Sequence, residues 1–366
     1  MSSLSIGIVG LPNVGKSTLF NAITKKSVPA DNYPFCTIDP SVGVVPVPDP
    51  RLEVLSRISN SKKIIPAIVE FVDIAGLVKG ASEGQGLGNQ FLSHIRETDA
   101  IAEVVRIYEN ADLIHVEGTV DPLRDIEIIN MELILADMQT VEKRMQTIGR
   151  DVKRGDKDAI KLQEMLERLK VQLESEKLAN RLSFTEDELR LVKELHLITM
   201  KPFLYVLNKQ HGGKNLDEMN DERFIKLIAY FRENKFNYVI VDAKIEDELK
   251  EFEGEEKEMM RKELGAHDNG VDGLIKEGYN LLGLETYLTT GEMETRAWTV
   301  KRGSSAPRAA AAIHSDFEQK FIRAEVVAYE DLVEAGSFAQ AKEKGKLRTE
   351  GKEYIVRDGD VIEFRI

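Results

Sequence analysis

Cysteine is nearly absent from this chain, since Cys36 is the only one among 366 residues. A single cysteine cannot form an internal disulfide, which indicates a reducing compartment, so a cytoplasmic location is expected. Long apolar runs are also missing. No stretch approaches the roughly 18 residues that a membrane-spanning helix needs, and no membrane contact is expected. The opening MSSLSIGIVG has no basic flank before its apolar run, which argues against a secretory signal.

Positive charge is in short supply. The chain has 50 Lys and Arg against 63 Asp and Glu, a formal net charge of -13. Because phosphate repels an acidic surface, we expect a poor general nucleic-acid binder, and any RNA contact needs a locally basic face. One basic cluster precedes the C-terminal region: Lys143, Arg144, Arg150, Lys153 and Arg154. A solvated helix face explains this cluster equally well.

Short apolar segments alternate with helical segments along much of the chain. Buried strands are predicted at 4–9, 64–76, 99–108, 201–209 and 236–243. Continuous apolar strands that alternate with helices are typical of an α/β fold whose mostly parallel sheet is covered on both faces.

Two apolar seams with heptad spacing interrupt this alternation between residues 127 and 198. Their members are Ile134, Met138, Val141, Met145, Ile148 and Val152 in the first seam, and Leu162, Leu166, Leu169 and Leu173 in the second. A turn at 154–158 separates them. Two seams joined by a turn predict an antiparallel α-helical coiled-coil hairpin that projects from the sheet domain. Two amphipathic helices packed on the body are the alternative.

The pattern changes again at residue 283. Residues 283–366 alternate short strands, turns and helices, which predicts a separate α+β domain of nearly balanced charge that can meet RNA. The expected organisation is therefore a sheet domain at 1–126 and 199–282, an inserted hairpin at 127–198 and a C-terminal domain at 283–366.

A phosphate-binding loop stands between the first strand and the first helix. Gly10-Leu-Pro-Asn-Val-Gly15-Lys16-Ser17 fits G-x-x-x-x-G-K-[ST], a pattern whose backbone N–H groups surround phosphate oxygens. We expect Lys16 to reach the terminal phosphates and to act in catalysis, and Ser17 to bind Mg²⁺. The predicted nucleotide-binding residues here are Asn13, Val14, Gly15, Lys16, Ser17 and Thr18.

A second acid is expected to support the Mg²⁺ and to sense the γ-phosphate. Asp73 ends an apolar strand in EFVDIAGL, and Gly76 follows it at the D-x-x-G spacing of P-loop switch enzymes. Thr37, in NYPFCTIDP, lies between the two motifs and is the candidate for a loop that closes over Mg²⁺ and γ-phosphate. A turn hydroxyl is the alternative for Thr37. The predicted metal ligands are Ser17, Thr37 and Asp73.

Longer strings spread over the chain point to one family. They are GLPNVGKSTLFNA, NYPFCTIDPSVGVVPVPDPRL, FVDIAGLVKGASEGQGLGNQFL, IRETDAI, HVEGTVDPLRDIEIIN and HSDFEQKFIRAEV. Through them the whole chain resembles the YchF family, the Obg-like ATPases. The resemblance implies an Obg-type P-loop domain of the TRAFAC GTPase class, an inserted helical hairpin and a C-terminal TGS domain with a ubiquitin-like β-grasp fold. It also implies a cytoplasmic, Mg²⁺-dependent hydrolase that prefers ATP over GTP and associates with ribosomes in translation or stress regulation. The hairpin and the TGS domain are the expected contacts with the ribosome or ribosomal RNA.

The purine-reading motif differs from that of ordinary GTPases, which use N-K-x-D and accept two guanine N–H groups on the aspartate. This chain has Asn208-Lys209-Gln210-His211, so the guanine-selecting carboxylate is missing and ATP is favoured. The YchF family typically has N-x-x-E, and the chain departs from that pattern too. GTP remains an alternative substrate, because Lys209 occupies the lysine position of the GTPase motif. Asp217, a few residues further on, is a carboxylate that could replace the missing one. Ala243-Lys244 matches the loop beside the base, although an ordinary strand-end loop explains it as well.

The hydrolytic machinery lacks the glutamine that Ras-type enzymes carry after the D-x-x-G glycine, because Leu77 occupies that place. Leucine cannot orient water, so slow intrinsic hydrolysis is expected. In similar enzymes an asparagine at the Asn13 position helps to bind K⁺, which makes K⁺ a second candidate cofactor. A hydrogen bond within the loop is the alternative. His115 is a catalytic candidate that orients water or stabilises charge, and a structural role is its alternative. Arg96 and Arg106 are candidate arginine fingers by proximity in the chain alone.

The expected function is that of a monomeric, ATP-selective P-loop hydrolase that acts as a ribosome-associated switch. One alternative is a GTP-selective GTPase. Another is a nucleotide-gated ribosome-binding module with negligible turnover, whose partner binding depends on nucleotide. A small-molecule kinase is disfavoured, because D-x-x-G with adjacent switch loops favours water as the phosphoryl acceptor.

Overall fold

The computed structural model describes residues 4–24, 41–74, 87–110, 118–249, 252, 254–264 and 270–366. Its strands, in chain order, are β1 (Ser5–Val9), β2 (Val42–Pro46), β3 (Ile64–Ile65), β4 (Ile68–Asp73), β5 (Ala100–Arg106), β6 (Tyr108–Glu109), β7 (Phe203–Asn208), β8 (Lys214–Asn215), β9 (Asn237–Val241), β10 (Leu284–Thr290), β11 (Thr295–Lys301), β12 (Arg323–Ala328), β13 (Arg348–Glu350) and β14 (Asp360–Arg365). Its helices are α1 (Lys16–Thr24), α2 (Arg51–Ser59), α3 (Leu87–Glu97), α4 (Pro122–Lys153), α5 (Lys157–Glu174), α6 (Glu186–Lys193), α7 (Glu222–Asn234), α8 (Ala243–Glu248), α9 (Gly254–Glu263), α10 (Gly270–Leu281), α11 (Ala306–Ala310), α12 (Ser315–Lys320), α13 (Tyr329–Ala335) and α14 (Phe338–Glu343). Single 3₁₀ turns occur at Ala179–Arg181 and Ile198–Met200.

The first sheet has the strand order β2-β4-β1-β5-β7-β9. Every neighbouring pair in it is parallel except β2 and β4, which run antiparallel. All residues of the central strands β5 and β7 are buried, as expected where helices cover both faces of a parallel sheet. The predicted α/β class with a mostly parallel sheet is confirmed.

The segment at 64–76, which the sequence predicts as one strand, contains two strands that belong to different sheets. β4 pairs with β1 in the first sheet, whereas β3 pairs with β11 in the C-terminal domain. Pro66 stands between them, and proline lacks the N–H group that a continuous ladder needs. The prediction of a single strand was therefore wrong.

The insertion is a pair of long helices, α4 with 32 residues and α5 with 18. The buried members of both predicted seams belong to the main hydrophobic core, and Met138, Met145 and Val152 of the first seam pack against it. α4 begins at Pro122, ahead of residue 127, because Asp121 caps the helix by accepting from Arg124 N and proline fits the first helical turn. Across the pair, Lys170 Nζ lies 3.2 Å from Glu142 Oε1. The predicted helical hairpin is confirmed.

One buried carboxylate ties the hairpin to the sheet domain. Asp137 of α4 accepts hydrogen bonds from Ile198 N at 2.8 Å, from Thr199 N at 2.7 Å and from Thr199 Oγ1 at 2.7 Å. These donors belong to the 3₁₀ turn that leads into β7. The hairpin is thus anchored to the strand that ends at Asn208.

The second sheet has the order β13-β12-β14-β10-β11-β3. β10 and β14 run parallel, while β10–β11, β12–β14 and β12–β13 are antiparallel. This confirms the predicted C-terminal α+β domain. The domains are joined by β3 and also by Arg51, whose Nη1 lies 2.7 Å from Asp358 Oδ2. Across the described ranges, no helix has both the length and the apolar character to cross a membrane.

Candidate nucleotide-binding site

The predicted phosphate site lies where the carboxyl ends of four parallel strands meet. β1 runs directly into the loop at 10–15, and α1 begins at Lys16. The register pairs Ile8 with Asp73, so the ends of β1 and β4 stand side by side. Asn208, at the end of β7, pairs with Val241 at the end of β9. Open α/β sheets bind their ligands at this edge.

The shape of the phosphate loop accounts for its two glycines. Gly15 has φ +98°, and a Cβ there would lie 2.3 Å from Asn208 Nδ2. Gly10 approaches β5 so closely that a Cβ would lie 2.6 Å from the carbonyl oxygen of Val104. Asn13 has φ +64°, a left-handed conformation that asparagine adopts more readily than most residues. The G-x-x-x-x-G spacing therefore follows from close backbone approaches within this loop.

Lys16 is a buried cation that lies near the half-buried carboxylate of Asp73. Lys16 is 8% exposed, and its Nζ donates to the carbonyl oxygen of Leu11 at 3.0 Å. Burial lowers the pKa of Lys16, and the nearby Asp73 opposes that shift. Burial also raises the pKa of Asp73, and Lys16 opposes that shift in turn. A phosphate beside Lys16 and a cation beside Asp73 would supply the counter-charges that these groups need.

The available oxygen ligands fit Mg²⁺. Ser17 is exposed in the first turn of α1, and Asp73 ends β4 next to β1. Hydroxyl and carboxylate oxygens are the hard donors that Mg²⁺ prefers, and this ion usually keeps waters and substrate phosphates as its other ligands. Within the described ranges, no three or more His, Cys, Asp or Glu residues gather to hold a metal by themselves. The donor set therefore suits a cation that arrives with a nucleotide.

Asn208 connects the phosphate loop to the loop after β9. Its Nδ2 donates to the carbonyl oxygen of Val14 at 2.8 Å, and its Oδ1 accepts from Ala243 N at 3.0 Å. The side chain is 4% exposed, so water does not compete for these bonds. Three segments that are distant in sequence are thereby held in one arrangement. The structure places the predicted residues Val14, Gly15, Asn208 and Ala243 together.

The loop after β7 is tied to the loop after β9 by Asp242. The carboxylate accepts from His211 N through Oδ2 and from Lys244 N, at 3.1 Å, through Oδ1. His211 itself is exposed. Lys209 Nζ lies 3.9 Å from Glu218 Oε1, so the lysine extends along its own loop.

Asp242 was missed by sequence reasoning, although a local signal was available. It directly precedes the helical segment Ala-Lys-Ile-Glu, and aspartate is a favoured N-cap residue. The cap was predictable, but the bond to His211 was not, because it depends on the pairing of β7 with β9.

Three predicted functional residues, Thr37, Gly76 and His115, lie outside the described residues, as does Leu77 at the position of the missing glutamine. Their roles therefore stay predictions.

Both candidate arginine fingers make contacts within the fold. Arg106 is 1% exposed, donates to Tyr108 O at 2.9 Å and has its guanidinium carbon 4.5 Å from the centre of the Tyr108 ring. Arg96 Nη2 donates to Thr140 Oγ1 of the hairpin at 3.2 Å. Arg106 thus holds Tyr108 directly after β5, and Arg96 links α3 to α4.

A phosphate loop between strand and helix, an acid at the end of the neighbouring strand and a buried asparagine after β7 define a P-loop nucleoside-triphosphate-binding protein of the GTPase type. A family model described as "50S ribosome-binding GTPase" matches residues 5–142. The YchF GTPase C-terminal model, described as "Protein of unknown function (DUF933)", matches residues 284–366. The chain belongs to the YchF family.

Similarity to members of this family extends over the whole chain. The "Ribosome-binding ATPase YchF" of Bacillus subtilis (strain 168) is 56% identical over 363 residues, which covers 99% of each chain. The protein of the same name from Escherichia coli O157:H7 is 47% identical over 359 residues and 98% of each chain. A solved structure, "Structure of the Schizosaccharomyces pombe YchF GTPase", aligns with a TM-score of 0.87 at 38% identity, covering 100% of this chain and 98% of that one. The sheet domain, the hairpin and the C-terminal domain are therefore all part of the similarity.

Proposed function

We propose that this chain is a Mg²⁺-dependent ATP hydrolase that binds the ribosome and acts as a monomeric switch in the cytoplasm. Its bacterial relatives are named ribosome-binding ATPases, whereas the fission-yeast structure is titled as a GTPase. One observation in this chain supports the proposal most directly. Asn208 joins the phosphate loop to the loop after β9. Its own loop, Asn208-Lys209-Gln210-His211, lacks the guanine-selecting carboxylate.

In the proposed reaction the phosphates are bound by the first turn of α1 and the loop before it. The binding residues are Asn13, Val14, Gly15, Lys16, Ser17 and Thr18. Gly76 is a further phosphate-binding residue predicted from the sequence. Lys16 stabilises negative charge on the terminal phosphates. Ser17, Asp73 and Thr37 hold Mg²⁺, which neutralises phosphate charge when it is bound. Thr37, Gly76 and His115 enter this proposal from the sequence alone. If His115→Ala leaves ribosome-stimulated ATP turnover unchanged, His115 has no catalytic role.

On the base side, Asn208, Lys209, Ala243 and Lys244 are proposed to surround the purine. A GTP-selective enzyme is the second candidate, and one observation favours it. Burial raises the pKa of Asp217 while Lys209 opposes the shift, and Asp217 Oδ1 has no hydrogen-bond partner in the part of the chain that the structure describes. A carboxylate oxygen near Lys209 is the kind of acceptor that a guanine edge needs.

Paired affinities for ATP and GTP test this proposal. We expect the wild type to bind ATP more tightly, and His211→Asp to raise GTP affinity about tenfold or more by restoring a carboxylate at the base-reading position. His196→Asp, the same change at another exposed histidine, is the matched control and leaves both affinities unchanged. If His211→Asp has no effect, residue 211 does not read the base. If the wild type prefers GTP and loses that preference in Asp217→Asn, the second candidate is correct.

Ribosome binding is proposed to use the hairpin and the C-terminal domain. Lys143, Arg144, Arg150 and Lys153 are exposed, and none of the four forms an ion pair with another described residue. Such cations are available for phosphates of ribosomal RNA.

Cosedimentation with ribosomes at rising salt tests this surface. We expect Arg150→Glu/Lys153→Glu to weaken binding and to flatten its salt dependence. The control Lys226→Glu/Arg232→Glu makes the same charge change on the exposed side of α7. Equal binding by the two double variants contradicts a hairpin contact.

K⁺ is proposed as a second cofactor, with Asn13 as its ligand. Asn13 is exposed in the phosphate loop at φ +64°. We expect ATP hydrolysis to be faster in K⁺ than in Na⁺ at matched ionic strength, and Asn13→Ala to abolish the difference. Identical rates of the wild type in the two salts contradict the proposal.

A further inference from the structure

The loop after β7 uses its backbone donors internally. Lys209 N donates to the carbonyl oxygen of Val241 at 2.9 Å, and Gln210 N donates to Asn215 Oδ1 at 2.9 Å. His211 N donates to Asp242 Oδ2. These three N–H groups are therefore not available to a purine placed beside the loop.

The loop after β9 does the same. Ala243 N donates to Asn208 Oδ1 at 3.0 Å. Lys244 N and Ile245 N donate to Asp242 Oδ1 at 3.1 Å and 3.0 Å. Asp242 thus accepts from both loops, and at 2% exposure its bonds face little competition from water.

The two purines differ at position 6 in a way that this arrangement distinguishes. Guanine has a keto oxygen there, which needs a donor, whereas adenine has an amino group, which needs an acceptor. A keto oxygen would meet N–H groups that are already committed. An amino group can use acceptor capacity that remains, because a carbonyl oxygen such as Asn208 Oδ1 has two lone pairs and Ala243 N occupies one.

We propose that Asp242 is a specificity-determining residue, which selects 6-amino over 6-keto purines by withholding one backbone donor of the loop after β7, His211 N, and two of the loop after β9, Lys244 N and Ile245 N. It acts through those loops and is a positioning residue, not a group that reacts. The inference rests on the proposed function in one respect, since it takes the purine to lie between the loops after β7 and β9. It differs from the role of residue 211, which concerns the 2-amino edge of guanine.

The test uses ATP and ITP, because inosine has the 6-keto group of guanine without its 2-amino group. Dissociation constants for both nucleotides are measured with Asp242→Asn and with Asp242→Ser. Asparagine keeps one acceptor oxygen and loses the other, while serine can still cap α8 but is too short to reach His211 N. We expect the ITP-to-ATP affinity ratio to rise about tenfold in each variant, the size of one recovered hydrogen bond.

Asp156→Asn is the matched control. Asp156 caps α5 in the same way, accepting from Asp158 N at 3.0 Å and Ala159 N at 2.9 Å, but it lies at the tip of the hairpin. Its ratio should equal that of the wild type.

The possible results distinguish failure of the Asp242 inference from failure of the proposed ATP-binding function. An equal loss of ATP and ITP affinity in both Asp242 variants means that Asp242 only supports the fold, and this overturns the inference while ATP binding stands. A wild type that binds ITP as tightly as ATP also overturns it. A wild type that binds neither ATP, GTP nor ITP overturns the proposed function and the inference with it. Thermal melting shows whether each variant folds. If one of them does not fold, the ITP-to-ATP affinity ratio of the other variant still decides the outcome.

Discussion

Removing the amide of Asn208 is expected to weaken both the fold and nucleotide binding. Asn208→Ala deletes the bond from Nδ2 to Val14 O at 2.8 Å and the bond from Ala243 N to Oδ1 at 3.0 Å. Val14 is 1% exposed and Ala243 2%, so water cannot replace the lost partners. Each buried group left unsatisfied costs about 1–3 kcal/mol, so the two groups together predict a loss of about 2–6 kcal/mol in the free energy of unfolding.

The assay is urea denaturation of the nucleotide-free protein, paired with ATP titration. Asn208→Asp separates the two bonds, since its carboxylate can still accept from Ala243 N but cannot donate to Val14 O. It should also weaken ATP binding, because the phosphate loop loses its tie to the base side. The control is Asn234→Ala, which removes one partly buried bond, from Nδ2 to Tyr230 O at 2.9 Å. If Asn208→Ala destabilises the protein no more than this control, the reasoning is refuted.

Three further predictions concern other parts of the molecule. Glu103 is 0% exposed, and burial and then Asp125 raise its pKa well above the ordinary 4.5. The folded state therefore keeps a proton that the unfolded chain releases, and stability falls as pH rises above about 4.5. Glu103→Gln should be more stable than the wild type at about pH 7–8, with the difference shrinking toward about pH 4, and a difference independent of pH in urea titrations contradicts this. Gly15→Ala should abolish ATP binding, because its Cβ would lie 2.3 Å from Asn208 Nδ2. The control Gly149→Ala places its Cβ on α4 with nothing within 4 Å, so it should leave ATP binding intact and add about 0.5–1 kcal/mol to the free energy of unfolding. Arg51→Ala and Asp358→Ala, combined in a double-mutant cycle of thermal stability, should show about 1 kcal/mol of coupling across the domain contact, and additive effects would exclude it.

Local sequence was sufficient wherever one short segment forms a feature by itself. The phosphate loop is made of consecutive residues, so the glycine spacing and Lys16 predict it without knowledge of the rest of the fold. The heptad seams predicted α4 and α5 for the same reason, since the apolar period belongs to each helix separately. The apolar pattern of residues 64–76 led to a wrong prediction, because an apolar run does not indicate which sheet each of its halves joins.

Contacts between distant segments were the part that sequence could not supply. Arg51 and Asp358 are 307 positions apart, and no pattern relates them. The tie between Asp242 and His211 spans 31 positions and exists only because β9 pairs with β7. A backbone N–H donor also has no sequence signature, since every residue except proline has one.

By itself, the sequence determined the class of this protein, because phosphate binding depends on a loop whose conformation its own glycines permit. It also predicted Asp73, Asn208 and the α4–α5 hairpin, since each follows from a short motif or a regular apolar period. Tertiary structure decided how these parts are joined. The Asn208 amide meets Val14 across 194 positions, and Asp242 accepts from one N–H group of the loop after β7 and two of the loop after β9. Both contacts exist because strand pairing in the folded sheet brings together groups that no local pattern connects.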